Sequence, residues 1–285
     1  MYENLVIHDS VKKQFDLTGL TALITGGAGF LGIQFAEAIA EMGGKPLLID
    51  INEKQLKIAE KKLQEAGLVN FSAYVADIAN ENLFRKSFKT ILSENNAVDI
   101  LINSAALTKA VIDNSNHDFF APYEKTDLRL WEEGLKFNLT ATHITCKIVG
   151  EQMAEIGKGS IINIASDIGV ISPNQTIYEP DEAGYEGVNF NSPASYSVSK
   201  AGVIHLTKYL STYWAKKNVR VNCISPAGVY RNHDKNFVKK LSSQIPMGRM
   251  ALPNEFKGAI IFFASDASSF VTGHNMLIDG GRSIW

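Results

Sequence analysis

Cysteine, long hydrophobic runs and clustered basic charge are all scarce in this sequence. The only two cysteines, Cys146 and Cys223, have apolar or helix-forming neighbours, which is typical of buried thiols in a reducing compartment and argues against a disulfide framework. The longest apolar runs, such as 259–264, are too short to span a bilayer. Residues 1–18 carry several charged side chains and no apolar core, so we expect no secretory signal there. These absences predict a soluble, cytoplasmic protein that does not bind membranes.

Net charge is nearly absent as well. The chain has 28 basic and 30 acidic residues, and no run of Lys or Arg marks a surface for nucleic acid. We therefore expect a small-molecule partner, with no nucleic acid and no metal site. The 285 residues are 45% hydrophobic, which is enough for one sizeable core. No repeat or flexible linker divides the chain, so we predict a single domain over 1–285, with 1–18 as a polar leader.

Short apolar runs alternate with amphipathic segments along the chain. Strands that are apolar throughout belong in a sheet covered on both faces, and helical crossovers imply parallel order. The pattern predicts an α/β fold, a doubly wound parallel sheet of about seven strands with helices on both faces. The predicted strand and helix pairs are 20–25 with 30–42, 46–50 with 53–66, 71–75 with 80–93, 98–103 with 127–150, 160–165 with 194–216, and 220–224 with 253–264. Two longer segments, 107–127 and 169–195, are expected to form substrate-side loops.

A glycine-rich turn lies where the first strand passes into the first helix. Its sequence, from Thr25 to Gly32, is TGGAGFLG. Glycines at this point let the backbone approach a pyrophosphate, and they direct the free N–H groups of the helix start toward it. We predict that the turn binds a dinucleotide through Gly26, Gly29, Phe30 and Leu31.

Asp50 ends the second predicted strand. A carboxylate there can accept hydrogen bonds from the adenosine ribose hydroxyls and repels a 2′-phosphate. No Arg or Lys lies in the glycine turn or directly after Asp50 to offset that repulsion. The sequence therefore favours NAD over NADP, although Asp50 could also simply cap the following helix.

Tyr196 and Lys200 are four residues apart at the start of a predicted helix. Residues at this spacing share one helix face, so an ammonium can lie beside a phenol. A phenol becomes a useful proton-transfer group near neutral pH only when a nearby positive charge favours its ionised form. The pair alone is a weak signal, because any exposed helix can contain it.

With the glycine turn, Asp50 and the Tyr/Lys pair in this order, the whole chain resembles the short-chain dehydrogenase/reductase family, a Rossmann-type fold. Two polar residues match the family's catalytic asparagine and serine, Asn138 in FNLT and Ser166 in IAS. The resemblance also implies further cofactor contacts, namely Asp77 and Ile78, Asn103 and Ala105, Tyr196 and Lys200, and Pro226, Gly228 and Val229.

Three features depart from the family pattern. Gly29 gives the turn a spacing that resembles the family's extended, sugar-nucleotide-modifying branch, whereas the sequence from 194 onward follows the single-domain dehydrogenase branch. Ser104 and Ala106 replace an asparagine and a glycine after the fourth strand. Arg231 stands where many members have a threonine that touches the cofactor, so the role of Arg231 is open.

The resemblance implies a mechanism built on four side chains. Tyr196 is the general acid/base, and Lys200 lowers the Tyr196 pKa together with the oxidised cofactor's positive ring. Ser166 donates a hydrogen bond to the substrate oxygen. Asn138 holds a water that links Lys200 to solvent. Three of these residues also have a plainer interpretation: Ser166 as a strand-end cap, Asn138 as a satisfied polar group in a helix, and Lys200 as a solvated helix charge.

The 169–195 segment contains aromatic and acidic residues that suit a polyhydroxylated or amino-bearing substrate, although a solvated surface loop is an equal alternative. These residues are Tyr178, Glu179, Asp181, Glu182, Tyr185, Glu186 and Phe190. Arg231, His233 and Lys235 are candidates for a substrate phosphate or carboxylate. The stretch 225–251 and the ending GRSIW also resemble enzymes of flagellin modification and of nonulosonic-acid (legionaminic-type) sugar synthesis.

The sequence thus predicts an NAD(H)-dependent oxidoreductase that interconverts a secondary alcohol and a ketone, on a sugar or sugar-derived substrate. Two alternatives stay open: a nucleotide-sugar epimerase or dehydratase, and a non-catalytic dinucleotide-binding regulator. We also expect a homo-oligomer, dimer or tetramer, because the predicted helices 194–216 and 253–264 carry enough apolar surface for subunit packing.

Overall fold

The structure is a computed structural model that describes residues 10–106, 120–178 and 191–285. Seven parallel strands form one sheet in the order β3-β2-β1-β4-β5-β6-β7. The strands are β1 Thr21–Thr25, β2 Lys45–Asp50, β3 Ser72–Val75, β4 Ile100–Asn103, β5 Gly159–Ile164, β6 Val219–Pro226 and β7 Asn275–Ile278. This arrangement confirms the predicted doubly wound sheet.

Helices connect the strands and cover both faces of the sheet. They are α1 Val11–Gln14, α2 Phe30–Glu41, α3 Glu53–Glu65, α4 Glu81–Asn95, α5 Leu128–Leu135, α6 Ala141–Ile156, α7 Ala194–Trp214, α8 Lys235–Ser242 and α9 Lys257–Ala264. Side-chain caps fix several helix starts: Asn52 accepts from the Gln55 N–H and Asn80 from the Leu83 N–H, as expected of N-cap residues.

Alternate residues of each strand face two separate cores. Ile24 of β1 lies in a core that includes Phe35 of α2 and Phe263 of α9. Its neighbour Leu23 faces the opposite core, which includes Phe84 of α4. Because both faces are covered, the strands must be apolar throughout, and this is why their sequences lack polar alternation.

Three elements differ from the sequence expectation. The predicted helix 127–150 is instead α5, a π-helical segment Lys136–Thr140, and α6. The sequence pattern does not predict helix α8 or strand β7. Strand β7 is only partly buried and lies at the edge of the sheet, so it lacks the continuous apolar character that marks the central strands.

The sheet order reverses direction between β1 and β4, since β2 and β3 lie on one side of β1 and the later strands lie on the other. In such sheets the crevice at the carboxyl ends of the two strands is the binding site. Asn103, the last residue of β4, pairs in register with Thr25, the last residue of β1. The glycine turn therefore lies at the edge of the crevice.

Candidate active site

The glycine turn packs directly against the segment that follows β4. Gly26 has a φ of 61°, and a Cβ atom on it would lie 2.7 Å from the Ala105 Cα, so only glycine fits there. The Gly29 N–H donates to the Gly26 carbonyl at 2.8 Å, which closes the turn. Thr25 Oγ1 accepts from the Ser104 and Ala105 N–H groups at 3.1 and 3.2 Å. These contacts hold the start of α2 at the crevice, where its N–H groups can meet phosphate oxygens.

Asp50 and Asp77 both lie at the carboxyl edge of the sheet. Asp50 is half-buried at the end of β2, and its Oδ1 accepts from the Asn52 N–H at 3.0 Å. Asp77 Oδ1 accepts from the Ala79 N–H at 2.9 Å. Each carboxylate thus shapes its own loop, and each keeps a second oxygen that these bonds do not use. Ile78, beside Asp77, is half-buried.

The Asn103 side chain bonds within the protein, and its predicted cofactor contact stays a prediction. Its Nδ2 donates to Asn163 Oδ1 at 2.8 Å, and its Oδ1 accepts from Thr145 Oγ1 at 2.7 Å. Asn163 in turn donates to Thr207 Oγ1 at 2.9 Å. The Asn103 side chain therefore joins β4 to β5, α6 and α7 in a buried polar network, and only its backbone is left for the predicted cofactor contact.

The segment after β6 continues the crevice on its other side. Val229 forms an isolated parallel bridge with Ala251, and the Gly228 carbonyl accepts from the Ala251 N–H at 3.0 Å. This bridge fixes the backbone directly after Pro226, the last residue of β6.

Arg231 lies closer to the glycine turn than the sequence suggested. Its guanidinium carbon is 5.0 Å from the centroid of the Phe30 ring, within the range of a cation–π contact. His233 Nδ1 accepts from the Arg231 N–H at 3.2 Å, and the His233 ring packs on Phe237 at 5.3 Å. Lys235, the first residue of α8, is exposed.

Helix α7 brings Tyr196 and Lys200 together. The Lys200 Nζ lies 5.6 Å from the Tyr196 ring centroid and donates to the Ile164 carbonyl at 2.7 Å. Lys200 is only 3% exposed, so its long side chain is fixed against the end of β5. The predicted four-residue geometry is present.

Asn138 and Ser166 lie beside this helix. Asn138 is fully buried in the π-helical segment, whose Leu139 packs against the cluster of Ala165, Val203 and Cys223. π-Helical turns often mark functional sites, because the extra residue redirects a backbone group. Ser166 follows β5, is 8% exposed, and lies close enough to the Tyr196 hydroxyl to lower the pKa of that phenol.

The electrostatics of the tyrosine differ from the sequence expectation. Burial raises the pKa of Tyr196 to about 12, a hydrogen bond with Ser166 opposes the rise, and Asp167 and Tyr178 add to it. Burial also lowers the pKa of Lys200 to about 8. Among the protein's own groups, desolvation thus outweighs the attraction that we expected from Lys200, because both groups lose water. Tyr196 is a phenol at neutral pH and can act as an acid.

Tyr178 is the one residue of the predicted substrate set in 169–195 that lies within the described part of the chain. Its ring stacks on Phe237 of α8 at 5.7 Å, and its hydroxyl interacts with Ser192. Burial raises its pKa, and Arg282 opposes that rise. The other residues of the set lie outside the described residues, as does most of the 107–127 segment.

The fold and site define an oxidoreductase of CH–OH groups that uses a nicotinamide dinucleotide. Residues 20–180 match the family model described as short chain dehydrogenase, and residues 187–283 match the model described as Enoyl-(Acyl carrier protein) reductase. The first match covers more than half of the chain. The chain belongs to the short-chain dehydrogenase/reductase family.

Comparisons with individual proteins also find dehydrogenases. A D-threitol dehydrogenase of Mycolicibacterium smegmatis is 31% identical over 282 residues, which cover 96% of this chain and 97% of the relative. A short chain dehydrogenase from Leptospira borgpetersenii with bound NAD+ has a TM-score of 0.80 at 30% identity, over 100% of both chains. A gluconate 5-dehydrogenase from Burkholderia cenocepacia, in complex with NADP and tartrate, has a TM-score of 0.81 at 26% identity, over 96% of this chain and 99% of its own.

None of the helices in the described segments has the length and apolar character needed to cross a membrane.

Proposed function

We propose that the protein is an NAD(H)-dependent dehydrogenase that interconverts a secondary alcohol and a ketone on a polyol or sugar-derived substrate. The observation that carries the proposal is the placement of Ser166, Tyr196 and Lys200 around one point beside the crevice. A bound nicotinamide would supply the hydride acceptor, and the chain supplies proton exchange and orientation.

Each side chain has a defined part in this proposal. Tyr196 exchanges the hydroxyl proton of the substrate. Ser166 donates toward the substrate oxygen as its charge changes. Lys200, fixed by the Ile164 carbonyl, keeps a positive charge near the phenol and can reach a ribose hydroxyl. Asn138, in the π-helical turn, is proposed to hold the water that leads the proton from Lys200 to solvent.

The residues present fit a dinucleotide with an unphosphorylated ribose. A Cβ on Gly26 would strike the Ala105 backbone, which shows how closely the turn approaches the crevice. Asp50 stands at the end of β2, where the ribose of the adenosine half would lie. We propose that Arg231, over the Phe30 ring, contacts the dinucleotide's phosphates, since this position favours a cofactor role over the substrate role predicted from sequence.

Replacing Asp50 is expected to relax the preference for NAD. Asp50→Asn removes the negative charge but keeps an oxygen for the Asn52 N–H, so the loop should retain its shape. The ratio of kcat/KM for NAD to that for NADP should fall about tenfold or more, because the repulsion of a 2′-phosphate is gone. Steady-state kinetics with both cofactors measures the ratio. The control is Asn52→Ala, which weakens the helix cap alone. An equal change of the ratio in both variants would show that Asp50 only shapes the loop and does not select the cofactor.

The pKa values of the site predict opposite pH dependence for the two directions. Alcohol oxidation needs the ionised phenol of Tyr196, whose pKa is raised to about 12, and the charged form of Lys200, whose pKa is lowered to about 8. Its rate should therefore rise between about pH 6 and pH 8 and level off above that. Ketone reduction needs the protonated phenol and should not rise over that range. Rates in both directions, measured with saturating cofactor, test this. The same slope in both directions would exclude Tyr196 as the proton-exchanging group.

The substrate assay has two arms. Purified protein with NAD and a panel of tetritols, pentitols, hexitols and sugar acids tests the polyol proposal by absorbance at about 340 nm, the NADH band. The resemblance of 225–251 and of the tail to nonulosonic-acid pathway enzymes is a separate proposal, and amino-sugar derivatives form the second arm. Oxidation confined to the second arm would favour that pathway.

We also propose that α7 forms a subunit interface. Tyr209 and Tyr213 are 60% and 66% exposed, and their rings stack at 6.2 Å beside a groove against α6. Helix α9 buries Ile260 and Phe263 in the core that contains Ile24 and Phe35, and its part in subunit packing stays a prediction. Light scattering should show that the wild type is a dimer or tetramer. The Tyr209→Ser/Tyr213→Ser variant should dissociate and have a lower mass.

A further inference from the structure

Arg282 makes a buried ion pair with Asp167, the residue that follows Ser166. Its Nη1 lies 2.7 Å from Asp167 Oδ2, and the two side chains are 7% and 3% exposed. The pair is far more deeply buried than Lys257 and Glu37, an ion pair in which both side chains are 22% exposed. Asp167 and Arg282 are 115 positions apart in the chain, so the fold must deliver the tail to this place.

The turn after β7 directs Arg282 inward. Gly280 and Gly281 have φ values of 63° and 88°, a left-handed conformation that favours glycine. Asp279 Oδ1 accepts from the Gly281 N–H and Oδ2 from the Ser283 N–H, both at 2.9 Å. The chain therefore reverses within a few residues.

A second set of contacts anchors the tail. Arg282 Nη2 donates to Gln244 Oε1 at 3.1 Å, and Trp285 Nε1 donates to the Gln244 carbonyl at 3.1 Å. The Arg282 guanidinium is thus held at two points. Its Nη1 binds the Asp167 carboxylate, and its Nη2 binds Gln244 in the segment after α8.

The carboxylate of Asp167 connects this anchor to the reacting groups. Its Oδ1 accepts from Ser166 Oγ at 3.0 Å and from the Ile168 N–H at 2.8 Å. Ser166 also lies near Tyr196 and lowers the pKa of its phenol, while the charge of Asp167 raises that pKa. A chain of contacts therefore runs from Tyr196 through Ser166 and Asp167 to Arg282.

Stability alone does not account for the pair. Two buried charges lose their hydration, and replacing such a pair by apolar groups is often neutral or stabilising. An unbalanced carboxylate beside Tyr196 would oppose the negative charge that forms on the phenol and on the substrate oxygen. Arg282 cancels that charge. Ser166 has one hydroxyl proton, which it donates to Asp167 in this structure and must turn to the substrate oxygen when a substrate binds.

We propose that Asp167 and Arg282 are positioning residues for the reaction at Ser166 and Tyr196, which makes the tail segment 280–285 part of the active site. The proposal rests on the proposed function. The charged and titratable groups that face Asp167 are Arg282 from the tail, Tyr196 from α7 and Tyr178 from the turn 175–178.

The two halves of the pair should act in opposite directions. Asp167→Asn keeps an oxygen for Ser166 and leaves the positive charge of Arg282 without its carboxylate. The rising limb of the oxidation pH profile should therefore move to lower pH by about one pH unit. Arg282→Met leaves the carboxylate unbalanced, so the limb should move up and kcat at neutral pH should fall about tenfold or more, with little change in the KM for NAD. The double variant Asp167→Asn/Arg282→Met should recover most of the lost kcat and the original limb.

Controls separate this role from a loss of folding. Lys257→Met breaks an ion pair with Glu37 between α9 and α2, at 2.9 Å, and should leave the limb unchanged. If Arg282→Met does not fold, Asp167→Asn and the double variant, in which no charge is left unpaired, carry the test. The proposal would be overturned if the rising limb of the oxidation pH profile kept its position in all three variants. It would also be overturned if the kcat of the double variant were no higher than that of Arg282→Met.

A readout without turnover keeps the two proposals distinguishable. In protein labelled with ζ-13C-tyrosine, the Tyr196 signal is assigned by its loss in Tyr196→Phe, and titration gives its pKa directly. We expect a lower pKa in Asp167→Asn than in the wild type. Failure of the wild type to form NADH with any substrate would count against the proposed function, whereas an unmoved Tyr196 pKa would count against the ion pair's role.

Discussion

Tyr196→Phe is expected to reduce turnover by about a hundredfold to ten-thousandfold, the range that a positioned acid/base contributes, while NAD binds nearly as before. The ring would remain in place on α7, beside Lys200 and Ser166, and only the hydroxyl would be lost. Tyr196 is the phenol that lies near Ser166. The loss should therefore appear in kcat and leave the dissociation constant of NAD almost unchanged.

The matched control is Tyr74→Phe. The Tyr74 hydroxyl donates to Glu94 at 2.7 Å, on the edge strand β3, so this variant also loses a hydrogen-bonded phenol but keeps the site. Its turnover should match the wild type. Retention of turnover in Tyr196→Phe would mean that another group exchanges the proton.

Lys200→Met is expected to lower turnover by about a hundredfold or more and also to weaken NAD binding. The side chain would keep its volume in the buried space at the end of β5 but lose the ammonium that donates to the Ile164 carbonyl. Two effects should combine, because the charge that favours the ionised phenol is gone and the ribose loses a hydrogen-bond donor. Tyr196→Phe affects only the first of these processes, so the two variants should separate binding from chemistry.

The control on the same helix is Lys208→Met. Lys208 is exposed on α7, two turns beyond Lys200, and its removal should alter neither quantity. Isothermal titration with NAD and single-turnover rates measure the two effects independently. Normal NAD affinity together with normal turnover in Lys200→Met would show that the buried ammonium only supports the fold.

Much of the fold was predictable because its strongest signals are local. The central strands are apolar throughout, since both faces are buried, and the glycine turn has few alternatives once it joins a strand to a helix. Tyr196 and Lys200 were equally local, because helix geometry alone brings residues at that spacing together. The edge strand β7 and helix α8 carry weaker patterns and were not named.

The remaining features depend on partners far apart in the chain. Nothing near Asn103 indicates that Thr145 and Asn163 would occupy its side chain. The same is true of Asp167 and Arg282: an aspartate follows the serine and an arginine follows two glycines, but only the folded tail brings them together. The pKa of Tyr196 also depends on how much water the fold removes from the phenol, a quantity that the spacing of Tyr196 and Lys200 does not contain.

The most direct test of the account is the ratio of NADH formed to ketone formed when the full-length protein oxidises a polyol with NAD. Net hydride transfer with proton exchange at Tyr196 predicts one NADH for each ketone, and both products should vanish together in Tyr196→Phe. A changed sugar without NADH would instead indicate an epimerase or dehydratase, in which the hydride returns within one turnover. NAD binding with no product from any substrate would indicate a dinucleotide-binding regulator, and either result would contradict the account.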